Sequence, residues 1–284
     1  MTILAPLRGV TIRCFREVFA GPVREAGFDE AVTPFISANP GFDPLGDREL
    51  RGGPQPIRVT PQFIGKDPAA LRACLLRIRE AGYDTADLNC GCPYPMVRNK
   101  GRGSGLLRAP AVLERMVAVG CETMGEGRFS VKARLGVDRN DELLALMPML
   151  NAYPLRFLAV HARNARQMYG GACDWDAFGK VAAAARMPVV PNGDLPLPDG
   201  GEGARGGPVM VGRAFVRRLG ARDDIGELLS AYVEASSAEL SGPSSVLGRM
   251  KELVAYWKDL PRWRRRWPSV KISRTLDEFR LACA

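Results

Sequence analysis

Two rhythms of apolar residues alternate along most of the chain. Short compact runs read as buried strands at residues 3–5, 31–36, 57–63, 85–88, 129–134, 157–161, 188–191 and 209–211. Stretches of helical period separate them, at residues 12–26, 68–81, 110–122, 141–151 and 175–185. In the second of these, Leu71, Leu75, Ile78 and Ala81 recur every three or four residues, while Arg72, Arg77, Arg79 and Glu80 fall mostly on the other face. Asp67 before Pro68 supplies an N-cap followed by proline at the first helical position, where a missing N–H costs nothing. Eight strands in βα order predict an α/β fold, a (β/α)8 TIM barrel, more readily than an open sheet, which usually has fewer strands.

Two links break the rhythm. Residues 39–56 carry no strong helical signal. Residues 196–208 (PLPDGGEGARGGP) put a glycine- and proline-rich loop where a helix should follow the seventh strand. From about residue 216 only helical pattern remains, at residues 223–240, 245–260 and 269–283. The shift predicts a barrel over residues 1–215 and a small all-helical domain over residues 216–284.

Composition narrows the chemistry. The 284 residues are 46% hydrophobic and 25% charged, ordinary for a soluble globular chain. No apolar run approaches the roughly 20 residues that span a bilayer, and the opening MTILAPLRGV has no charged leader or cleavage site. The expectation is a cytoplasmic protein with no membrane association, monomeric, with no protein partner implied. Seven scattered cysteines argue against a disulfide scaffold, and Cys90-x-Cys92 is too tight for zinc and lacks a second pair, so no metal is expected. The single histidine, His161, rules out a two-histidine metal site. A formal charge of +9 favours nucleic acid or another polyanion as partner.

In a barrel of this class the active site lies at the C-terminal ends of the strands. Polar residues fall there strand after strand: Gln62, then Asn89 and Cys92, then Lys132 and Arg134, His161 and Arg163, Asn192-Gly193-Asp194, and Gly212-Arg213. Any one has an ordinary structural explanation, but agreement over six strands does not. Glycines at 193 and 212 let the backbone approach a phosphate at the seventh and eighth strand ends, and Arg213 can neutralise it. No G-x-G-x-x-G follows a strand, so a cofactor with one terminal phosphate, such as FMN, fits better than a dinucleotide. Asp87-Leu-Asn-Cys-Gly-Cys-Pro93, followed by Lys100-Gly-Arg-Gly-Ser-Gly105, reads as a catalytic loop. Cys90 reads as a small buried apolar residue.

These residues together resemble the tRNA-dihydrouridine synthases. LAPLRGVTIRCFR, DLNCGCP, VKARLGVD, VHARNARQMYGGACDWD, VVPNGDL and VMVGRA are similar to that family's motifs and keep its order across residues 4–214. The resemblance implies FMN held by Gln62, Lys132, His161, Asn192, Gly193, Asp194, Gly212 and Arg213, with the Ala5-Pro6-Leu7 backbone against the ring. It places Asn89 and Arg134 toward the uracil and makes Cys92 the catalytic acid. The implied reaction reduces uridine to dihydrouridine in tRNA, with NADPH as reductant and hydride delivery to uracil C6. Leu7 stands where the family usually has methionine, and Ile12 where it has aspartate.

GRMKELVAYW, like DLNCGCP, resembles the C-type bacterial members, which implies a target in the tRNA D loop. Trp257, Trp263 and Trp267 lie beside Arg262, Arg264, Arg265, Arg266 and Lys271. Basic and aromatic side chains together suit RNA backbone contact and base stacking. The expectation is that Trp257 is core, while Arg264, Arg265 and Arg266 meet RNA, with Arg98, Lys100 and Arg102 of the active loop as further contacts. Two other readings remain: a flavin barrel acting on a small pyrimidine such as dihydroorotate, which needs no basic tail, and a non-catalytic RNA-binding barrel, which would carry no flavin.

Overall fold

A computed structural model describes residues 1–51, 55–198 and 207–283. Its ten parallel strands occupy eight positions of one ring, because the second and third positions are each split in two. The first is β1 (Thr2–Leu4); the second is β2 (Glu30–Val32) with β3 (Ile36–Ser37); the third is β4 (Arg58–Thr60) with β5 (Gln62–Ile64). Then follow β6 (Ala86–Cys90), β7 (Phe129–Gly136), β8 (Leu158–Asn164), β9 (Val189–Asn192) and β10 (Val209–Val211). β2 pairs with β4 and β3 with β5, while β10 pairs with β1. Every position therefore has two parallel neighbours, and the TIM barrel closes.

The splits were expected as continuous strands, and prolines explain them. Pro34 and Pro61 have no N–H to give to the ladder. Thr33 spans the gap: its N–H donates to the Thr60 carbonyl at 3.0 Å, and its hydroxyl accepts from the Gln62 N–H at 2.9 Å. The helix expected at residues 12–26 is likewise two, α1 (Arg13–Val18) and α2 (Ala20–Glu25). Pro22 cannot donate back to the carbonyl of Val18.

Outside the ring lie α3 (Pro68–Glu80), α4 (Pro95–Arg98), a 3-10 turn at Gly103–Arg108, α5 (Pro110–Met124), α6 (Glu142–Leu150), α7 (Trp175–Ala184) and α8 (Arg213–Leu219). The Asp67 carboxylate does cap α3, accepting from the Ala69 N–H at 3.0 Å. The glycine-rich loop after the seventh strand falls largely at residues 199–206, outside the described residues.

Five helices complete the chain: α9 (Ile225–Glu239), α10 (Pro243–Val254), α11 (Pro261–Arg264), α12 (Trp267–Ile272) and α13 (Leu276–Cys283). They pack against the barrel through a continuous apolar cluster that joins Phe15, Phe19 and Phe215 to Tyr232, Trp257 and Trp263. Trp257 is core as expected, donating its indole N–H to the Val216 carbonyl at 2.7 Å. Trp263, expected beside the RNA-contacting arginines, is equally buried and donates to the Gly220 carbonyl at 2.7 Å. A buried indole needs such an acceptor, and here both come from the end of α8. Among the described residues, no helix is long and apolar enough to cross a membrane.

Candidate active site

The site begins with a buried carboxylate. Asp87 on β6 is fully enclosed and accepts from Ser130 Oγ and from Gln62 Nε2, each at 2.7 Å. Burial pushes its carboxyl up to about 6, against the opposing pull of those hydrogen bonds. Because Gln62 gives its amide nitrogen to Asp87, its oxygen faces Asn89 and accepts from Asn89 Nδ2 at 2.7 Å. Asn89 must then turn its own oxygen away, where it accepts from the N–H groups of Gly91 and Cys92 at 3.2 and 2.9 Å. A chain of three side chains thus fixes the backbone of Cys92.

The other side of Cys92 is held by the segment after α4. Ser104 donates to the Cys92 carbonyl from its hydroxyl at 2.9 Å and from its N–H at 3.1 Å. Burial raises the Cys92 thiol above its ordinary value, opposed in part by the Tyr94 backbone and by Arg8, Arg134 and Lys132. The thiol is therefore protonated at neutral pH, the state a proton donor needs.

Cys90, expected past the strand, is the last residue of β6, pairing with Ala133. Alternation turns it away from Asn89 and into the apolar cluster beneath the surrounding helices. The end of β6 therefore separates the two cysteines: Cys90 still belongs to the strand and Cys92 to the loop beyond it.

Cations line the same cleft as Cys92. Lys132 Nζ donates to Asn192 Oδ1 at 2.8 Å, and burial, helped by Arg134, lowers the ammonium to about 8. Arg134 donates to the Gly91 and Asn164 carbonyls at 3.0 and 2.9 Å. Burial likewise lowers the pKa of the Arg134 guanidinium, to about 10. His161 is buried among them and held neutral by burial and by the neighbouring positive charges. Its Nδ1 has no hydrogen-bond partner among the described residues. The Arg134 and Arg213 guanidinium groups each lie 5.3 Å from the centre of the Tyr169 ring. These groups surround a cleft of about 770 Å³, counted out to the solvent, at the C-terminal mouth of the barrel.

The profile of one family, dihydrouridine synthase, matches residues 3–217. The chain belongs to the dihydrouridine synthase family. It is 32% identical over 201 residues to tRNA-dihydrouridine synthase B of Vibrio cholerae, which covers 69% of this chain and 61% of that protein. The chain therefore spans about three fifths of the length of the B-type relatives it matches. It is 31% identical over 285 residues to tRNA-dihydrouridine(16) synthase of Pseudomonas putida, covering 89% of this chain and 86% of that one. Among solved structures, an old yellow enzyme homologue from Zymomonas mobilis superposes with a TM-score of 0.54 at 13% identity, over 76% of this chain and 85% of that one. Morphinone reductase gives 0.51 at 11%, over 76% and 82%. Those two likenesses bear on the fold alone.

Most residues singled out from the sequence line this cleft. They are Ala5, Pro6, Leu7, Gln62, Asn89, Cys92, Lys132, Arg134, His161, Asn192, Gly193, Gly212 and Arg213. Asp194 is different: its carboxylate bridges Arg163 and Arg213. A carboxylate repels phosphate, so Asp194 bears on the cleft through those arginines. Arg98, Lys100, Arg102, Arg264, Arg265 and Arg266 do not line it. Lys100, Arg102, Arg264 and Arg265 are exposed, whereas Arg98 is half-buried. Arg266 is also half-buried, with its guanidinium 6.0 Å from the centre of the Trp263 ring, so it is part of the packing.

Arg8, Phe35, Tyr94 and Tyr169 line the cleft without having been picked out. Tyr169 lay inside a matched motif. Arg8 and Phe35 come together only through the closure of β1 on β2. The structure also accounts for Ile12, which occupies the N-cap of α1 with no side-chain cap and is buried in the cluster shared with the C-terminal helices. There it trades a capping hydrogen bond for apolar contact.

Proposed function

We propose that the chain is a flavin-dependent tRNA dihydrouridine synthase, with FMN as cofactor, NADPH as reductant and a D-loop uridine as target. The observation that carries this reading is a protonated thiol, Cys92, fixed at the rim of a cleft whose floor offers amide and cationic donors. The residues fit FMN. His161 Nδ1 is a buried polar atom still in want of a partner, and Lys132, Gln62 and Asn192 present donors for a heterocycle's carbonyls and nitrogens. Gly212 brings bare backbone against Ala5 and Leu7, where a Cβ would come within 3.0 Å of the Ala5 side chain. Arg213, beside Gly193 and Gly212, supplies the cation for the phosphate, and Asp194 holds it in place.

Bound FMN supplies hydride exchange between a reduced nicotinamide and C6 of a uracil. The chain's own part is positioning and proton transfer. Asn89 and Arg134 turn donors toward the pyrimidine, and Arg134 opposes the negative charge that gathers at C4–O as C6 is reduced. Cys92 donates its proton to C5, which removes that charge and leaves the saturated ring. A uridine reaches such a floor only by leaving its stack, so contacts beyond the cleft must hold the RNA.

The barrel of residues 1–215 is read as the catalytic unit and the basic helices of residues 216–284 as the RNA-holding one, in a monomeric cytoplasmic enzyme. The name of the Pseudomonas putida relative, which matches both regions, supports the tRNA target. Mass spectrometry of tRNA nucleosides from cells with and without the gene tests the reading. Loss of dihydrouridine is expected on deletion. An unchanged nucleoside profile, or a purified protein that neither holds nor takes up FMN, would overturn it.

A further inference from the structure

One cation at the cleft has no work in the arrangement described so far. Arg8 follows the Ala5-Pro6-Leu7 backbone on the loop from β1 to α1 and borders the cleft with Phe35 and Tyr94. Its guanidinium lies 5.5 Å from the centre of the Phe35 ring, so the long side chain rests on an aromatic plate at the mouth. The other cations are engaged. Lys132 donates to Asn192, Arg134 to two carbonyls, and Arg163 and Arg213 are paired with Asp194.

Arg8 is exposed and, among the described residues, makes no ion pair and donates no hydrogen bond. Glu252 on α10 is within its electrostatic reach but forms no salt bridge with it. Arg8 also lies close enough to Cys92 for its charge to act on the thiol. Five donors in a rigid fork, fixed beside the proton donor and open to solvent, match a planar pair of anionic oxygens from an incoming molecule.

We propose that Arg8 binds a phosphate ester of an incoming substrate at the mouth of the cleft. A ring seated on the floor, whether a uracil or a nicotinamide, leaves its ribose and phosphate at the rim, where Arg8 waits. The inference rests on the proposed function, and the two substrates that function requires are the two sources of such a phosphate: the RNA backbone and the dinucleotide reductant.

The test compares FMN-loaded wild type, Arg8→Ala and Arg8→Lys in two assays. The first is a salt titration of tRNA affinity. The second is stopped-flow flavin reduction over a range of NADPH concentrations. If the partner is RNA, Arg8→Ala weakens tRNA binding about ten-fold and lowers the slope of log K against log salt by roughly 0.7–0.9. NADPH reduction then stays at wild type. If the partner is the reductant, the NADPH concentration for half-maximal rate rises about ten-fold and the tRNA curve stays put. In either case Arg8→Lys, which keeps the charge and loses the fork, recovers only part of the loss in that assay.

Flavin absorbance and melting temperature close to wild type identify folded variants. Were Arg8→Ala to fail to fold, Arg8→Glu in the same two assays would serve, with a larger loss expected in one. An active wild type matched within two-fold in both assays by the folded variant overturns the Arg8 assignment alone. A wild type that binds no tRNA and oxidises no NADPH overturns the proposed function, and the Arg8 assignment with it.

Discussion

An amide side chain has a direction, and at Cys92 the direction is set two residues away. Asp87 can only accept, so Gln62 must give it nitrogen; Asn89 is then forced to offer oxygen to the Cys92 N–H. Cys92→Ala should keep flavin and accept hydride from NADPH while losing ~10²–10⁴-fold in uridine reduction, the usual range for a lost general acid. Cys90→Ala should keep uridine reduction, because that side chain is packed among apolar residues and faces away from the cleft. The reverse result, read by nucleoside analysis after single turnover, would sink the assignment.

The raised thiol gives a pH test. A cysteine whose folded pKa lies above its ordinary value holds its proton until higher pH. Alkylation of Cys92 by iodoacetamide, followed by peptide mass spectrometry, should therefore have its inflection above the ordinary cysteine value. An inflection below that value would describe a nucleophile, not an acid. Cys92 itself was legible in the sequence from its motif. The Asp87–Gln62–Asn89 chain was not, since it depends on the register of β5 against β6.

At the scale of elements, the rhythm of strands and helices carried the barrel, because each period follows from which face an element buries. Its breaks are legible too, in Pro34, Pro61 and Pro22, residues without an N–H to give. What the rhythm could not carry was the segment after Cys92. Gly103, at φ +57°, packs so tightly that a Cβ would lie 2.8 Å from the Cys92 Cβ. Gly103→Ala should thus cut uridine reduction at least ten-fold while NADPH oxidation and flavin content hold, since neither needs the thiol in place.

On the helical side, the arginine run divides. Arg264→Ala with Arg265→Ala should leave melting unchanged and flatten the salt dependence of tRNA binding, each lost phosphate contact lowering the slope by roughly 0.7–0.9. Arg266→Ala should instead lower the melting temperature, because its guanidinium packs on the buried Trp263 ring. An unchanged slope in the double variant would make those two arginines a solvated face and move the RNA surface toward Lys100 and Arg102.

For the whole molecule, the change of rhythm at residue 216 reads as a boundary, yet the apolar cluster runs straight across it. Phe15 of α1 and Phe19, which joins α1 to α2, stack edge-on against Tyr232 of α9, with ring centres 6.0 and 5.6 Å apart. Trp257 and Trp263 both hang their indole N–H groups on carbonyls at the end of α8. Linear pattern shows which elements are amphipathic and not which of them share a core, so this coupling was out of reach of the sequence.

It has a thermodynamic consequence. Helices that share their apolar core with the barrel lose part of it without the barrel, and the barrel flank they cover would open to water in their absence. Heat should therefore unfold the chain in one transition. Near-ultraviolet dichroism, dominated by Trp257 and Trp263, reports the helices, and release of flavin fluorescence reports the barrel. The two curves should coincide, and Trp257→Ala, which empties a fully buried site at a cost of about 3–5 kcal/mol, should shift both together. Curves that separate, or a Trp257→Ala shift confined to the dichroism, would mean that the two regions fold as independent units despite the core they share.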